Sequence, residues 1–143
     1  MSRNVRIVLA VVVVGIIGFI VLQFVPGFAH TNPPVTYQVQ WDSPKTQELM
    51  QRACMDCHSN ETVWPWYSSI APVSWLVVHD VNDGRSKMNL STNSHVEARE
   101  MIREIQHGTM PPPIYLPLHP EANLTDSEKA DLIAGIQATF KGG

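Results

Sequence analysis

Between Arg6 and Asp42 the chain carries no Asp, Glu, Lys or Arg, and this gap divides it into two unlike parts. Val5 to Val25 reads VRIVLAVVVVGIIGFIVLQFV, with one arginine near its start, Gln23 near its end and nothing else polar. Wound as a helix, such a run reaches about 31 Å at roughly 1.5 Å per residue, the thickness of a bilayer's hydrocarbon core. Residues 1–28 are therefore read as a transmembrane anchor. Arg3, Arg6 and the amino terminus flank its beginning, and no basic group follows closely. The positive-inside tendency leaves the N-terminus in the cytoplasm and sends the remainder across. The rival reading is a cleaved signal peptide, with Gly27-Phe28-Ala29 offering small residues to a peptidase. Signal cores run to about 7–15 apolar residues, shorter than this stretch, which favours a retained anchor. Both readings put the rest of the chain outside the cytoplasmic membrane.

Residues 29–42 are uncharged up to Asp42 and contain Pro33-Pro34, which enforces extended backbone; they read as a semi-rigid tether. From Asp42 onward eight basic residues face thirteen acidic ones without a Lys/Arg run, so nucleic acid is not an expected partner. A hydrophobic content of 44% with four Trp is core-forming, which excludes disorder throughout. Two cysteines are too few for a disulfide framework or an all-thiolate metal site.

Residues 43–143 read as one small helical domain. Ser43-Pro44 suits an N-cap and first helical position, and Leu49, Met50 and Ala53 recur at helical spacing. The run leads into Cys54-Met55-Asp56-Cys57-His58. Cysteines three apart on one helical turn share a face, so both thiols reach the two vinyl groups of one haem while the adjacent imidazole meets its iron. C-x-x-C-H is thus a covalent attachment site for a single haem c, with His58 as a metal ligand. A disulfide would leave His58 without a role. A thioredoxin-like pair belongs beside a βαβ pattern, and zinc would need a fourth ligand where no third cysteine exists.

Trp64, Trp66, Tyr67 and Trp75 follow within a proline-broken stretch, supplying flat apolar rings and polar edges that suit haem walls or a small core. CMDCHSNETVWPWYSSIAPVSW, Val81-Asn82-Asp83-Gly84-Arg85, Asn89-Leu90-Ser91, and Met110-Pro111-Pro112 with Tyr115 and His119-Pro120 resemble the small membrane-anchored haem-binding domain proteins of bacteria, relatives of the c-type cytochromes. The resemblance runs from about Asp42 to the C-terminus; Met88-Asn89-Leu90-Ser91 departs from the family's Leu-Asn-Phe-Ser. It implies a fold and a cofactor rather than a pathway.

His58 fills one axial position. Met50 and Met101 sit among apolar neighbours as core, Met88 lies in a polar turn as a partly exposed filler, and His95 belongs to a solvated helix start. His107 ends a helix, where a cation suits the dipole, and His119 is a further candidate. His79 follows Trp-Leu-Val-Val and is the substitute ligand if buried. Met110 is the expected second ligand, because Gly108 stops a helix running from about His95 to Gln106 and Pro111–Pro113 stiffen the strap after it. Haem propionates call for a guanidinium, and Arg85, in an expected Asp83-Gly84-Arg85 turn, is the candidate against a solvated turn residue.

Thr125-Asp126-Ser127-Glu128 is a capping box, followed by Leu132, Ile133, Ile136 and Phe140 on one stripe. In c-type cytochromes such a C-terminal helix crosses the haem-bearing one. The expected fold is all-α, a single transmembrane helix followed by a small c-type cytochrome-like helical domain. The expected function is a membrane-tethered monohaem cytochrome passing single electrons on the periplasmic side of the bacterial cytoplasmic membrane to redox partner proteins. It is not expected to be an enzyme. The alternatives are a haem sensor or peroxidase-like enzyme with an open distal site, or an accessory subunit of a larger respiratory or photosynthetic complex.

Overall fold

A computed structural model describes residues 2–25, 29–92 and 96–141. Among them there are helices, turns and irregular segments but no strand, so the fold is all-α as expected. The chain divides into two units, one of residues 1–30 and 64–79, the other of residues 31–63 and 80–143.

In the first unit, helix α1 spans Arg3–Leu22. Its mean hydropathy is 3.0 and none of it is buried, so it is long and apolar enough to cross a membrane. Ser2 caps its start, and it closes at Gln23, somewhat before the end of the apolar run. The Gln23 amide donates to Phe19 O at 3.0 Å and to Ala71 O at 3.2 Å, and Gln23 Oε1 accepts from Ala71 N at 2.9 Å. The rest of this unit is a 3-10 turn, Trp66–Ser69, and the first residues of the helix that begins at Val73.

The second unit contains α2 (Pro44–Ala53), the single turn α3 (Met55–His58), the later part of α4 (Val73–Lys87), α5 (Ala98–His107) and α6 (Asp126–Thr139). Its core is Leu49, Met50, Leu90, Ile105, Leu124, Leu132 and Ile136. Local signals act here as read. Ser43 Oγ accepts from Thr46 N with Pro44 at the first helical position, and both halves of the Thr125/Glu128 capping box are made. Gly108 ends α5 at φ 69°, a left-handed conformation that glycine takes without a Cβ penalty. Helix α5 begins at Ala98, after the expected start; His95 lies outside the described residues. Residues 31–41 form neither helix nor strand and are bonded within this unit, Thr36 N and Tyr37 N donating to Ser91 O and Asn60 Nδ2 to Pro34 O.

Helices α2 and α6 pack against each other, the crossing expected of the helix that leads into the cysteine motif and the C-terminal helix. Gly135 makes the close approach: a Cβ there would lie 2.0 Å from Thr46 Oγ1 and 2.6 Å from Thr46 Cγ2, on a side chain that is 3% exposed. Gly135→Ala gains about 1 kcal/mol of helix propensity. Overpacking typically costs about 1–3 kcal/mol, and a buried, hydrogen-bonded threonine has little room to move, so the clash wins. Chemical denaturation will show Gly135→Ala less stable than wild type, with Thr46→Ala partly restoring it in a double-mutant cycle.

Two expectations need correction. Val81–Arg85 is not a turn but lies inside α4. Asn, Asp and Gly lower helix propensity, yet tertiary packing overrides it. Gly84 is buried against the second cysteine, since a Cβ there would stand 2.6 Å from Cys57 O and 3.1 Å from Cys57 Cβ. Asp83 and Lys87 add an i,i+4 pair at 3.0 Å. His79, the substitute ligand if buried, is instead exposed, because the apolar residue before it, Val78, takes the inward position on α4.

Candidate functional site

Cys54 breaks the helical path. Its φ −131°, ψ −37° end α2, and α3 restarts one residue later, with Cys57 N and His58 N both donating to Cys54 O at 3.2 and 2.9 Å. One tight turn therefore carries both thiols and the imidazole. No disulfide joins the cysteines. Burial, and then each other's charge, push the Cys54 thiol up to about 12. Burial, with Asp56 and Asp80, pushes Cys57 up to about 11 against the opposing pull of Arg85. Both are thiols at neutral pH, unlike the low-pKa thiolates of redox-active cysteines.

The His58 ring is held from the far side. Its Nδ1 lies 3.1 Å from Met88 O, and that carbonyl accepts only if Nδ1 carries the proton, which leaves the Nε2 lone pair for a ligand. Burial lowers the imidazole's pKa, the Met88 bond opposing it, and the neutral ring is the ligating form. The Met88–Ser91 stretch is itself fastened to the motif. Leu90 N donates to His58 O at 2.8 Å, Asn60 N to Ser91 Oγ at 3.0 Å, and Asn89 Nδ2 to Asn60 Oδ1 at 2.8 Å.

Arg85 comes to the site along α4, one residue after Gly84. Its Nε donates to Ser59 O (2.7 Å), Nη1 to Thr31 O (2.7 Å), and Nη2 to Asn32 Oδ1 (2.9 Å) and Thr62 Oγ1 (2.8 Å). Rather than a solvated turn residue it is a half-buried strut pinning residues 31–32 and 59–62, and burial lowers its pKa.

Sequence reasoning missed Asp56. Its Oδ1 accepts from Val63 N at 3.0 Å, its backbone carbonyl from Thr62 Oγ1 at 2.6 Å, and its Oδ2 from Tyr115 Oη at 2.9 Å. Tyr115 also stacks on His119, centroids 3.8 Å apart and planes 6° from parallel. Burial, then Asp56, raise the Tyr115 pKa, so it stays a phenol that donates. The only prior signal was the position of Tyr115 and His119 after the prolines. Met110 is half-buried in the segment between the Gly108 stop and Tyr115, so its loop is fixed at one end by the α5 cap and at the other by the bond to Asp56.

Tyr115→Phe deletes one donor to a carboxylate and leaves the ring stack. The expected loss is about 1–3 kcal/mol, the range for stranding a hydrogen-bonded partner. A thermal midpoint lower by several degrees, with unchanged far-ultraviolet circular dichroism, will register it.

Trp64, Trp66 and Tyr67 belong to the first unit. There Trp64 stacks on His30 at 4.6 Å, and Trp66 meets Tyr67 edge-on at 5.8 Å while remaining 79% exposed. His107 stands exposed in the last turn of α5, as read, and Met50 and Met101 belong to the core and its margin. Among the described residues no three His, Cys, Asp or Glu side chains converge as a metal cluster.

A family model described as a haem-binding domain matches residues 17–138. No curated protein and no solved structure matches the chain.

Proposed function

The chain belongs to the haem-binding domain family, and from that membership we propose that it is a membrane-tethered c-type cytochrome carrying single electrons outside the cytoplasmic membrane. When bound, haem supplies a one-electron iron couple. The observation that carries the reading is the His58 ring, whose Nδ1 is held by the Met88 carbonyl beside two protonated thiols on one turn. Ligating histidines characteristically donate their other ring N–H to such a carbonyl, which fixes the tautomer and raises ligand basicity. Cys54 and Cys57, as neutral S–H groups, suit addition across vinyl double bonds, giving two thioethers.

Met110 is proposed as the second axial ligand. A thioether is neutral and weak, favouring the reduced iron and a raised potential. Its loop's two fixed ends support a held rather than a wandering sulfur. The helix α1 fits a retained anchor, and the partners are then redox proteins or a larger complex in the same membrane. Absorption of the reduced full-length protein with and without carbon monoxide tests the electron-carrier reading. Unchanged bands are expected; a ready shift would give the site to a sensor or a peroxidase-like enzyme.

A further inference from the structure

Residues 62–79 (TVWPWYSSIAPVSWLVVH) form a second stretch without Asp, Glu, Lys or Arg, ended on both sides by acids, Glu61 and Asp80. Most of it joins α1 in the first unit. The join is specific. Gln23, at the end of α1, spends its amide on the main chain of Ala71 in both directions, and His30 Nε2 lies 2.6 Å from Ser68 O while its ring stacks on Trp64. Twenty helical residues of α1 reach about 30 Å at roughly 1.5 Å each, so a spanning α1 puts Gln23 at the edge of the hydrocarbon. Ala71, bonded to it, lies at the same depth.

That depth is the headgroup layer, where Trp and Tyr concentrate because each has an apolar body and a polar edge. The segment's composition matches the location, and so does its exposure. Trp66 is 79%, Leu76 47% and Val73 43% exposed, and Val73 and Leu76 are three apart on one helix and so neighbours on its surface. Scattered exposed apolar residues need no explanation, but a charge-free set of them fastened to the end of a membrane-length helix does.

We propose that residues 64–79 are a membrane-interface element, seated in the phospholipid headgroup layer at the exit of α1, with Trp66, Val73 and Leu76 turned toward the acyl chains. The inference rests on α1 being a retained anchor. To test it, the full-length haem protein is reconstituted in phosphatidylcholine/phosphatidylglycerol vesicles containing a phospholipid whose photoreactive diazirine sits on an acyl carbon near the glycerol. After irradiation and digestion, mass spectrometry should find lipid adducts on peptides covering 19–25 and 64–79. Adducts on 19–25 without adducts on 64–79 would overturn the proposal while leaving the anchor intact. A mature chain lacking α1, or no adducts on 19–25, would overturn the anchor and the proposal with it. The double variant Trp66→Ser, Leu76→Ser changes exposed side chains only and should keep the haem spectrum. It should lose most of the 64–79 adducts, and retention of them would refute the roles given to these two residues.

Discussion

Replacing Cys54 and Cys57 together by Ala is expected to abolish haem staining in a denaturing gel, where the wild-type polypeptide stays stained. Covalent attachment alone survives denaturation, so the effect is all-or-none rather than a shift in affinity. Acid–acetone extraction gives the independent check: haem should remain with the wild type and leave the double variant. Single replacements should each keep partial staining through the remaining thioether. Haem that extracts freely from the wild type would end the c-type reading without touching the family assignment, which stands on residues 17–138 as a whole.

Met110→Ala should open the iron to carbon monoxide and remove the weak long-wavelength sulfur-to-iron band of the oxidised protein. It should also lower the reduction potential, by on the order of 0.1 V, a modest part of the about 0.8 V that axial ligands span. Met110→His should keep six-coordination while also lowering the potential, because imidazole favours the oxidised iron more than a thioether does. Redox titration with spectroscopic readout measures both. An unchanged spectrum and potential in Met110→Ala would remove Met110 from the proposed site. His119, its ring stacked on Tyr115 and its Nδ1 held 3.2 Å from Glu121 Oε1 much as His58 is held by Met88, would then be the substitute to test. Exposed His79 would need a rearrangement of α4.

Much of the fold was legible because it is governed by residues close together in the chain. A cap needs only its own first turn, so Ser43-Pro44, Thr125 with Glu128, and Gly108 all stand where local chemistry put them. The length and apolarity of α1 are properties of one continuous run, and the C-x-x-C-H turn lies within five residues.

What the sequence by itself determined, then, is the all-helical class, the membrane-length helix, the starts of α2 and α6, and the presence of two thiols and an imidazole on one turn. Only the tertiary structure decided what those parts lean on. The Asn-Asp-Gly run looked like a turn because helix propensity is local, but Gly84 stays helical where α4 must approach Cys57 too closely for a Cβ. Arg85 offered no sign of its four acceptors, which lie 23 to 54 residues away along the chain. Asp56 is one of the two unspecified positions of the C-x-x-C-H motif, and only the fold brings Tyr115, 59 residues later, to donate to it. His58 needs a carbonyl from residue 88 to fix its proton, and a main-chain carbonyl has no identity in a sequence. A side chain's type limits which bonds it can make, but packing decides which partner arrives within hydrogen-bond distance.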